Sequence, residues 1–537
     1  MDVKREQLTE DEKIRKAEEL NNYESFDVHV WSEYPEVNKA VDVLYGELKK
    51  LPEFAGNERL RKKHVKVVIL DLYVKWLADP TRYSSYYRRK NAYSEVDARY
   101  NKLHISRLTV PVVDALQVSG YLEHHTGYQS ITGKSYMSRM RATKKLIDLI
   151  VRKHKITPTM VEKAPNTECI ILRDYDPEKD KQVDIPYQDT NEIIRMRKQL
   201  RAYNNLLRSA LIDIRHFPKE GVLSRSKMKT IRIDFENQSR KFVRRIFNNA
   251  SWDDGGRFYG GWWQRLPKEW RNRITIFGLP THETDYSGLH IVIMYAMEGI
   301  DYWKEINKDP YQIEGYEISE RMRLLLKQVL LTAINAKDRT AAVKAVNWEV
   351  NKDKEEFWWV KAEELDIGDL IDSFAQTHSP IGHHFFSNFG VKLQKIDSTM
   401  AEHVINEMTQ RKIPVLWIHD SFIAMAALER DLNVSMQEAF RKVISTLSET
   451  IGDKRAPKVS RMGLTTEQFG QLWGETEQFE HPKKREEALR RLGLHDGPKL
   501  EDQDIGYLQR MKRFRDTDWV EEYYRDDISL GNSRDPV

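Results

Sequence analysis

Apolar residues predict a helix in each of three stretches of this chain, 58–78, 191–214 and 291–297. Residues 58–78 are dense in apolar side chains, which indicates a buried helix, and residues 291–297 predict a shorter apolar helix. In residues 191–214 apolar side chains recur at the helical period among charged ones, which predicts an amphipathic helix. The predicted apolar stripe of that helix consists of Ile194, Met196, Leu200, Tyr203, Leu206, Leu207 and Leu211.

Two segments with strand patterns each place an aspartate at the end of a predicted strand. The alternating segment 273–277 precedes Asp285, which we therefore expect at the end of a strand. Residues 414–424 are two apolar runs separated by His419-Asp420-Ser421, which predicts a β-hairpin with Asp420 at its tip. Aspartates on adjacent strands can bridge two divalent ions, and Mg²⁺ prefers such hard oxygen ligands. The sequence therefore predicts a pair of Mg²⁺ ions, which Mn²⁺ can replace.

Four short motifs surround these aspartates in a definite order along the chain. They are Gly256-Arg257-Phe258 with Gln264-Arg265-Leu266-Pro267, then Asp285-Tyr286-Ser287-Gly288, then Arg323 and Lys327 on one helical face, then His419-Asp420. The ordered set resembles the motifs of family A (Pol I-like) DNA polymerases and of the related single-subunit RNA polymerases. The resemblance implies an α+β fold of the right-hand polymerase type, with palm, fingers and thumb.

The resemblance also implies a role for each matching residue. The catalytic residues would be Asp285, Asp420, Lys327 and Arg323. The metal ligands would be Asp285, Asp420 and the backbone carbonyl of Tyr286. The nucleotide would be bound by Arg323, Lys327, His290 and Asn335. The primer and template would be contacted by Arg257, Gln264, Gln394 and His419.

Departures from the family pattern concern the templating base and the sugar. Asn335 and Ala336 replace the Tyr-Gly pair of the fingers, so the aromatic platform for the base pair is missing at this position. His290 and Ser421 stand where DNA-synthesising members carry glutamates, and RNA-synthesising members carry serine at the second position. The choice of sugar stays open. We expect DNA synthesis, because the segment around the first aspartate matches the DNA-synthesising members better.

Residues 58–156 resemble the winged-helix domains of plasmid and phage replication proteins. The pattern predicts a helix at 106–120, a hairpin of strands at 121–125 and 134–140, and a basic helix at 143–153. This order of elements is that of a winged helix. Winged helices also serve as packing modules, so the resemblance leaves DNA contact as one of two interpretations.

If this domain binds DNA, Arg107 heads the recognition helix, and Lys134 and Arg139 contact phosphates. The preceding segment 80–93 interleaves arginines with tyrosines, which suits a nucleic-acid backbone and stacked bases. The same pattern also fits an exposed loop whose tyrosines anchor it to the core.

Composition adds bounds on compartment and partners. The 87 basic residues are nearly cancelled by 83 acidic ones, so nucleic-acid binding would depend on local clusters. The single cysteine, Cys169, excludes an intramolecular disulfide and fits a reducing compartment. No apolar run has membrane-spanning length and the N-terminal residues are too polar for a signal peptide. We expect a cytoplasmic protein of a bacterial or infected host cell, without a membrane partner.

These observations predict five regions. They are a charged helical segment at 1–57, a winged-helix-like domain at 58–156, a linker with thumb-like helices at 157–250, a palm and fingers core at 251–472 and a charged tail at 473–537. Within the linker region, residues 157–186 are predicted to be irregular. The tail is a candidate contact for replisome proteins.

The expected function is template-directed nucleotidyl transfer. The resemblance implies a DNA polymerase of phage or plasmid replication that extends a primed DNA template with dNTPs. The segment Asp234-Phe235-Glu236 matches the start of a proofreading exonuclease motif, but it lies too far along the chain for such a domain, and we expect no proofreading. One alternative is a single-subunit RNA polymerase or primase that uses NTPs. Another is a catalytically inactive, winged-helix DNA-binding replication protein.

Overall fold

A computed structural model describes residues 20–89, 93, 98–129, 135–178, 180–218, 221–224, 229–233 and 235–447. The predicted tail and the last part of the predicted palm and fingers core lie outside these residues. So do Lys134, Asp234 and residues 1–19 of the predicted N-terminal charged segment. No helix of the described part is both long enough and apolar enough to cross a membrane.

Helices and strands are mixed throughout the chain. The α-helices are Pro35–Leu48, Glu58–Ala78, Thr109–Val118, Lys144–Ile147, Asn191–Ser209, Lys268–Arg271, Leu289–Met297, Glu320–Asn335, Arg339–Lys352, Lys354–Ala362, Ile367–Thr377, Gly390–Gln410 and Glu429–Leu447. The principal strands are Tyr23–Ser25, Tyr83–Tyr86, Leu122–His125, Ser138–Ala142, Ile170–Asp176, Lys181–Asp184, Ile212–Ile214, Arg244–Phe247, Gly255–Tyr259, Ile274–Ile276, Leu279–Asp285, Leu416–Ile418 and Ser421–Met425. The predicted α+β class is confirmed.

Short strands and helical turns fill the connections between these elements. The short strands are Val30–Trp31, Tyr128–Gln129, Ser135–Tyr136, Glu162–Lys163, Val222–Ser224 and Lys229–Ile231. The 3-10 turns are Pro52–Phe54, Ala98–Tyr100, Pro158–Met160, Gln238–Lys241, Trp262–Arg265, Ser379–His384 and Ala426–Leu428. Two π-helical turns lie at Asp148–Lys153 and Tyr302–Ile306.

The N-terminal core forms around the helix Glu58–Ala78, which is buried along most of its length, as its apolar density predicts. Asn57 begins this helix by accepting a hydrogen bond from the Leu60 N–H at 3.0 Å. The predicted hairpin is confirmed, because strand Leu122–His125 pairs antiparallel with Ser138–Ala142. The hairpin continues into a four-stranded sheet that includes Tyr83–Tyr86.

The structure favours the second interpretation of the arginine- and tyrosine-rich segment 80–93, in which its tyrosines anchor it to the core. Every residue of strand Tyr83–Tyr86 is buried, and the Tyr83 hydroxyl donates to Glu123 at 2.9 Å. The Tyr86 hydroxyl lies 2.9 Å from the His124 ring. These two tyrosines therefore anchor the segment to the core, because their rings are buried and their hydroxyls are bonded to side chains of the strand Leu122–His125.

A second core extends from Cys169 to Ile444 and overturns the prediction of an irregular connection at residues 157–186. Ile170–Asp176 and Lys181–Asp184 form an antiparallel hairpin. Its first strand then pairs in parallel with Arg244–Phe247. The prediction failed because proline and charged residues surround a short apolar run, whose strand partner lies far away in the sequence.

The predicted helix at 191–214 is too long at its C-terminal end. The helix stops at Ser209, and Ile212–Ile214 instead pair antiparallel with Ile274–Ile276. Ile194, which was predicted in the apolar stripe, is 51% exposed. The Tyr203 hydroxyl donates to the Val415 carbonyl at 2.6 Å, so the helix is packed on the second core.

A five-stranded antiparallel sheet carries the two predicted acidic positions. Its strand order is Ile212–Ile214, Ile274–Ile276, Leu279–Asp285, Ser421–Met425 and Leu416–Ile418. The last two strands are the predicted hairpin, and Ser421–Met425 is buried at every position. Burial of this kind specifies the register, because a slip by one residue would reverse every side chain.

The N-terminal core contains a buried ion pair whose loss should destabilise the protein. The Asp71 carboxylate is paired with Lys75, and it accepts from the Ser84 hydroxyl at 2.6 Å and from the Asp27 N–H at 3.0 Å. Lys75→Met leaves this carboxylate without its cation, and we expect the free energy of unfolding to fall by about 3–5 kcal/mol in urea denaturation.

The matched control is Lys62→Met, which removes a lysine from exposed pairs with Asp42 and Glu58. This change should cost less than about 1 kcal/mol. The double variant Asp71→Asn/Lys75→Met should recover part of the loss, because no unpaired charge remains. Equal losses for Lys75→Met and Lys62→Met would contradict the buried-pair interpretation.

Candidate active site

The two predicted aspartates lie side by side. Asp285 is the last residue of strand Leu279–Asp285 and stands opposite Ser421 in the register. Asp420 belongs to the tight turn that precedes Ser421, and its carbonyl accepts from the Tyr286 N–H at 3.4 Å. In the same turn His419 has a φ of 55°. The predicted arrangement, one carboxylate at a strand end and one at a hairpin tip, is confirmed.

Both carboxylates are free to bind a ligand. Asp285 and Asp420 are exposed, and within the described residues neither side chain forms a hydrogen bond or an ion pair. Two adjacent unpaired carboxylates repel each other unless a cation lies between them. Hard oxygen donors of this kind fit Mg²⁺. The chemistry of the donor set therefore agrees with the predicted metal.

The predicted cations lie on the helix Glu320–Asn335, whose N-terminus is capped by Ser319. Arg323 and Lys327 are one turn apart and flank the ring of Tyr311, which neither periodicity nor the family pattern predicted. The Arg323 guanidinium lies 4.5 Å from the ring centroid and the Lys327 ammonium 5.6 Å from it. Arg323 also donates to Asp309 at 2.8 Å.

Electrostatic effects connect this helix with the two aspartates. Burial raises the pKa of Tyr311 to about 12, and the negative charges of Asp420 and Asp285 add to that rise. Desolvation and the charge of Arg323 lower the pKa of Lys327, whereas the two aspartates act in the opposite direction. The charges of the two aspartates therefore act on both Tyr311 and Lys327.

A glycine permits the close approach that sets Tyr311 in position. Gly288 begins the helix Leu289–Met297 with a φ of 61°, a conformation that favours glycine. A Cβ at this position would lie 2.5 Å from Cγ of Pro310, the residue next to Tyr311. The loop that carries Tyr311 thus rests directly on the turn that follows Asp285.

Arg257 and His290 are brought together by a residue that the sequence did not indicate, Asp397. This carboxylate is 3% exposed on the helix Gly390–Gln410, and it accepts from Arg257 Nε at 3.3 Å. His290 Nε2 lies 3.0 Å from the same carboxylate. Burial acts to lower the pKa of Arg257, but the charge and the hydrogen bond of Asp397, together with the charges of Tyr259 and Asp420, raise it overall.

The remaining predicted site residues of the second core have different surroundings. Gln264 donates to the Phe258 carbonyl at 3.0 Å and to the Trp417 carbonyl at 3.3 Å, so its amide supports the backbone around the hairpin. The Asn335 amide donates to the Leu331 carbonyl of its own helix at 2.7 Å. His419 is exposed beside Asp420. Gln394 is half-buried, about one helical turn before Asp397.

The predicted DNA contacts of the N-terminal core are not equally accessible. Arg107 is exposed in the turn before the helix Thr109–Val118, most of which is buried. Arg139 is 4% exposed, and its guanidinium lies 4.6 Å from the Tyr23 ring centroid. A phosphate cannot reach Arg139 in this arrangement, because the side chain is buried beneath the Tyr23 ring. Lys134 lies outside the described residues.

Comparisons with known proteins add no family to this geometry. No protein-family model matches the chain. No curated protein matches it either. The chemistry must therefore be argued from the side chains themselves.

The close contact between Gly288 and Pro310 predicts that a side chain at position 288 destabilises the protein more than one at the matched position 299. Gly299→Ala meets only the strain of its positive φ of 79°, because no atom lies within 4 Å of its Cβ position. We expect that variant to lose about 1–2 kcal/mol of unfolding free energy. Gly288→Ala has the same backbone strain and adds a clash with the Pro310 ring, and it should lose about 1–3 kcal/mol more.

Chemical denaturation of both variants provides the measurement. The quenching of tryptophan fluorescence by acrylamide gives a check that the native folds are alike. If Gly288→Ala loses no more stability than Gly299→Ala, the loop around Tyr311 does not rest on this turn.

Proposed function

We propose that this chain is a template-directed nucleotidyltransferase, a DNA polymerase of the right-hand type without a proofreading exonuclease, acting in phage or plasmid replication. The observation that supports it is the pair of exposed, unpaired carboxylates, Asp285 and Asp420, in one electrostatic field with Arg323 and Lys327. Phosphoryl transfer needs these two elements, anionic metal ligands and cations for a polyphosphate.

Asp285, Asp420 and the backbone carbonyl of Tyr286 are the residues that would hold two Mg²⁺ ions. When bound, such ions lower the pKa of an attacking hydroxyl and neutralise charge on a leaving pyrophosphate. Tyr286 is suited to a supporting role, because its ring is buried and its hydroxyl donates to the Met436 carbonyl at 2.6 Å. Its backbone is thereby held beside the two aspartates.

Arg323 and Lys327 would bind the triphosphate of the incoming nucleotide. The bond to Asp309 and the ring of Tyr311 orient the Arg323 guanidinium. A planar guanidinium held in this way is well suited to donate hydrogen bonds to phosphate oxygens. Lys327 shares the Tyr311 ring but forms no ion pair within the described residues, and its lowered pKa suits it to give a proton to the departing pyrophosphate. The two cations therefore would bind the substrate and assist the leaving group.

Arg257 would contact the primer terminus. Asp397 fixes the guanidinium and also holds His290, so both side chains enter the site in a preset orientation. His290 is the position at which the sugar would be sensed. Primed DNA and dNTPs are the proposed substrates, and replisome proteins are proposed partners of the C-terminal region.

An RNA polymerase or primase on the same site is the second candidate. The observation that favours it is the bond between His290 and Asp397 at 3.0 Å. The Asp397 carboxylate is occupied by His290 and Arg257, and position 290 itself carries an imidazole. A ribose 2′-hydroxyl would therefore meet no free carboxylate there, so ribonucleotides would meet less resistance.

Extension of a labelled DNA primer on a DNA template with Mg²⁺ tests the proposal. The reaction is run with dNTPs, with NTPs, and with NTPs in the absence of primer. We expect extension with dNTPs, and a loss of at least about 10²- to 10³-fold in Asp285→Asn and Asp420→Asn, because each change removes a metal-binding charge. Asp369→Asn, a distant exposed carboxylate, is the matched control and should retain the rate.

Each other outcome has a definite meaning. Primer-independent products from NTPs would favour the RNA polymerase or primase. Absence of product in every reaction, with intact folding by circular dichroism, would reject nucleotidyl transfer and favour an inactive DNA-binding replication protein. Extension that survives both aspartate changes would reject the proposed metal ligands.

The lowered pKa of Lys327 predicts a pH dependence. The protonated ammonium is lost as the pH rises through a pKa below the ordinary lysine value, so the extension rate should decline on the alkaline side. Lys327→Arg keeps its charge throughout, because a guanidinium does not titrate in this range. The ratio of the variant rate to the wild-type rate should therefore rise with pH.

Single-turnover extension between neutral and alkaline pH measures this ratio. Lys344→Arg, on an exposed helical face, is the control and should follow the wild type at every pH. A constant ratio for Lys327→Arg would show that protonation of Lys327 does not limit the reaction.

A further inference from the structure

A second cluster of metal-binding side chains lies at the far end of the helix Leu289–Met297 from Asp285. Glu298 directly follows this helix, and His383 and His384 end the 3-10 turn Ser379–His384. The nine residues of the helix span about 13 Å. The cluster is therefore separate from the carboxylate pair at the strand ends.

The three side chains converge on one point. Nε2 of His384 lies 3.1 Å from Oε1 of Glu298, and Nε2 of His383 lies 3.2 Å from the same oxygen. All three potential ligand atoms lie within 4.8 Å of one another. A tetrahedral Zn²⁺ with bonds of about 2.0–2.2 Å holds its ligand atoms roughly 3.3 Å apart, so a small rotation of the side chains would complete the site.

The two imidazole rings lie close together and share one carboxylate oxygen, Oε1 of Glu298. The centroids of the two imidazole rings are 4.0 Å apart, so two protonated rings would repel each other. A neutral imidazole with a free ring nitrogen is the form that binds transition metals.

The surroundings also suit a metal site. The His384 ring stacks on Phe389 at 4.4 Å between centroids, which holds one ligand in position. His383 is 59% exposed, so an ion and a completing water molecule can enter from solvent. One side of the cluster is thus fixed by packing and the other is open.

We propose that Glu298, His383 and His384 form a Zn²⁺-binding site, with water as the fourth ligand. Two imidazoles and a carboxylate suit Zn²⁺ and related transition ions better than Mg²⁺, which prefers oxygen ligands. The site is independent of the proposed nucleotidyl transfer, because none of its ligands takes part in that chemistry.

The position of the site suggests a structural role. The segment after His384 returns to the helix Glu320–Asn335, because the Phe386 N–H donates to the Ala333 carbonyl at 2.7 Å. The Asn388 N–H donates to the Ala336 carbonyl at 3.3 Å. An ion held by Glu298 and the two histidines would join the end of the helix Leu289–Met297 to the segment that supports the cation-bearing helix.

The test uses the full chain with Asp285→Asn and Asp420→Asn, so that the strand-end carboxylates do not contribute. After chelation and dialysis, Zn²⁺ binding is measured by calorimetry in excess Mg²⁺, and Co²⁺ is added separately as a spectroscopic probe. We expect one Zn²⁺ per chain, a rise in melting temperature on Zn²⁺ addition, and visible Co²⁺ absorption bands of an imidazole-ligated site.

His383→Ala and Glu298→Gln should each weaken Zn²⁺ binding by at least about 10-fold and abolish the rise in melting temperature. The matched control is His282→Ala, because His282 is a single exposed imidazole 3.8 Å from one carboxylate, Glu429. That variant should bind like its parent. Absence of Zn²⁺ binding in the parent, or equal affinity in His383→Ala and His282→Ala, would overturn the proposal.

Discussion

The antiparallel register between Leu279–Asp285 and Ser421–Met425 is the constraint on which the candidate site depends. It places Asp285 opposite Ser421 and therefore next to Asp420. The strand Ser421–Met425 is buried at every position, so a slip by one residue would move each side chain into the opposite buried face and disrupt the packing on both. The energy that holds two like charges together thus comes from the core beneath them, as is common for sites that bind cations.

Three other carboxylates near Asp285 and Asp420 are each bonded to a neighbouring side chain. Asp397 is paired with Arg257, Asp309 with Arg323, and Glu283 accepts from the Ser421 hydroxyl at 2.6 Å and from Arg271 at 3.0 Å. Each of these acids positions a neighbour. Asp285 and Asp420 are left with their negative charge uncompensated by any bonded side chain of the described residues, which is the condition for an inorganic cation to bind them.

The helix Leu289–Met297 connects the parts of the second core. It begins at Gly288, against the loop of Tyr311, and ends at Glu298, against His383 and His384. Its apolar residues are buried, so the helix is a rigid support between these two contacts. A cation at Glu298 would therefore stabilise the same body that carries the strand-end aspartates.

Local pattern was enough to predict elements whose signals lie within a few residues. The dense apolar run at 58–78 and the interrupted one at 414–424 each define their own geometry, so the helix and the hairpin tip were predicted correctly. The spacing of Arg323 and Lys327 likewise predicted one helical face. These features depend on the backbone period and on burial, both of which are encoded locally.

Contacts between distant segments were decided only by the tertiary structure. Asp397 meets Arg257 across 140 positions, and His384 meets Glu298 across 86. The sequence pattern predicts helix at the strand Ile212–Ile214, because the partner strand Ile274–Ile276 lies elsewhere in the chain. By itself, the sequence determined which residues end strands and share helical faces. Packing decided which of them meet, because the loops that bring them together carry no periodic signal.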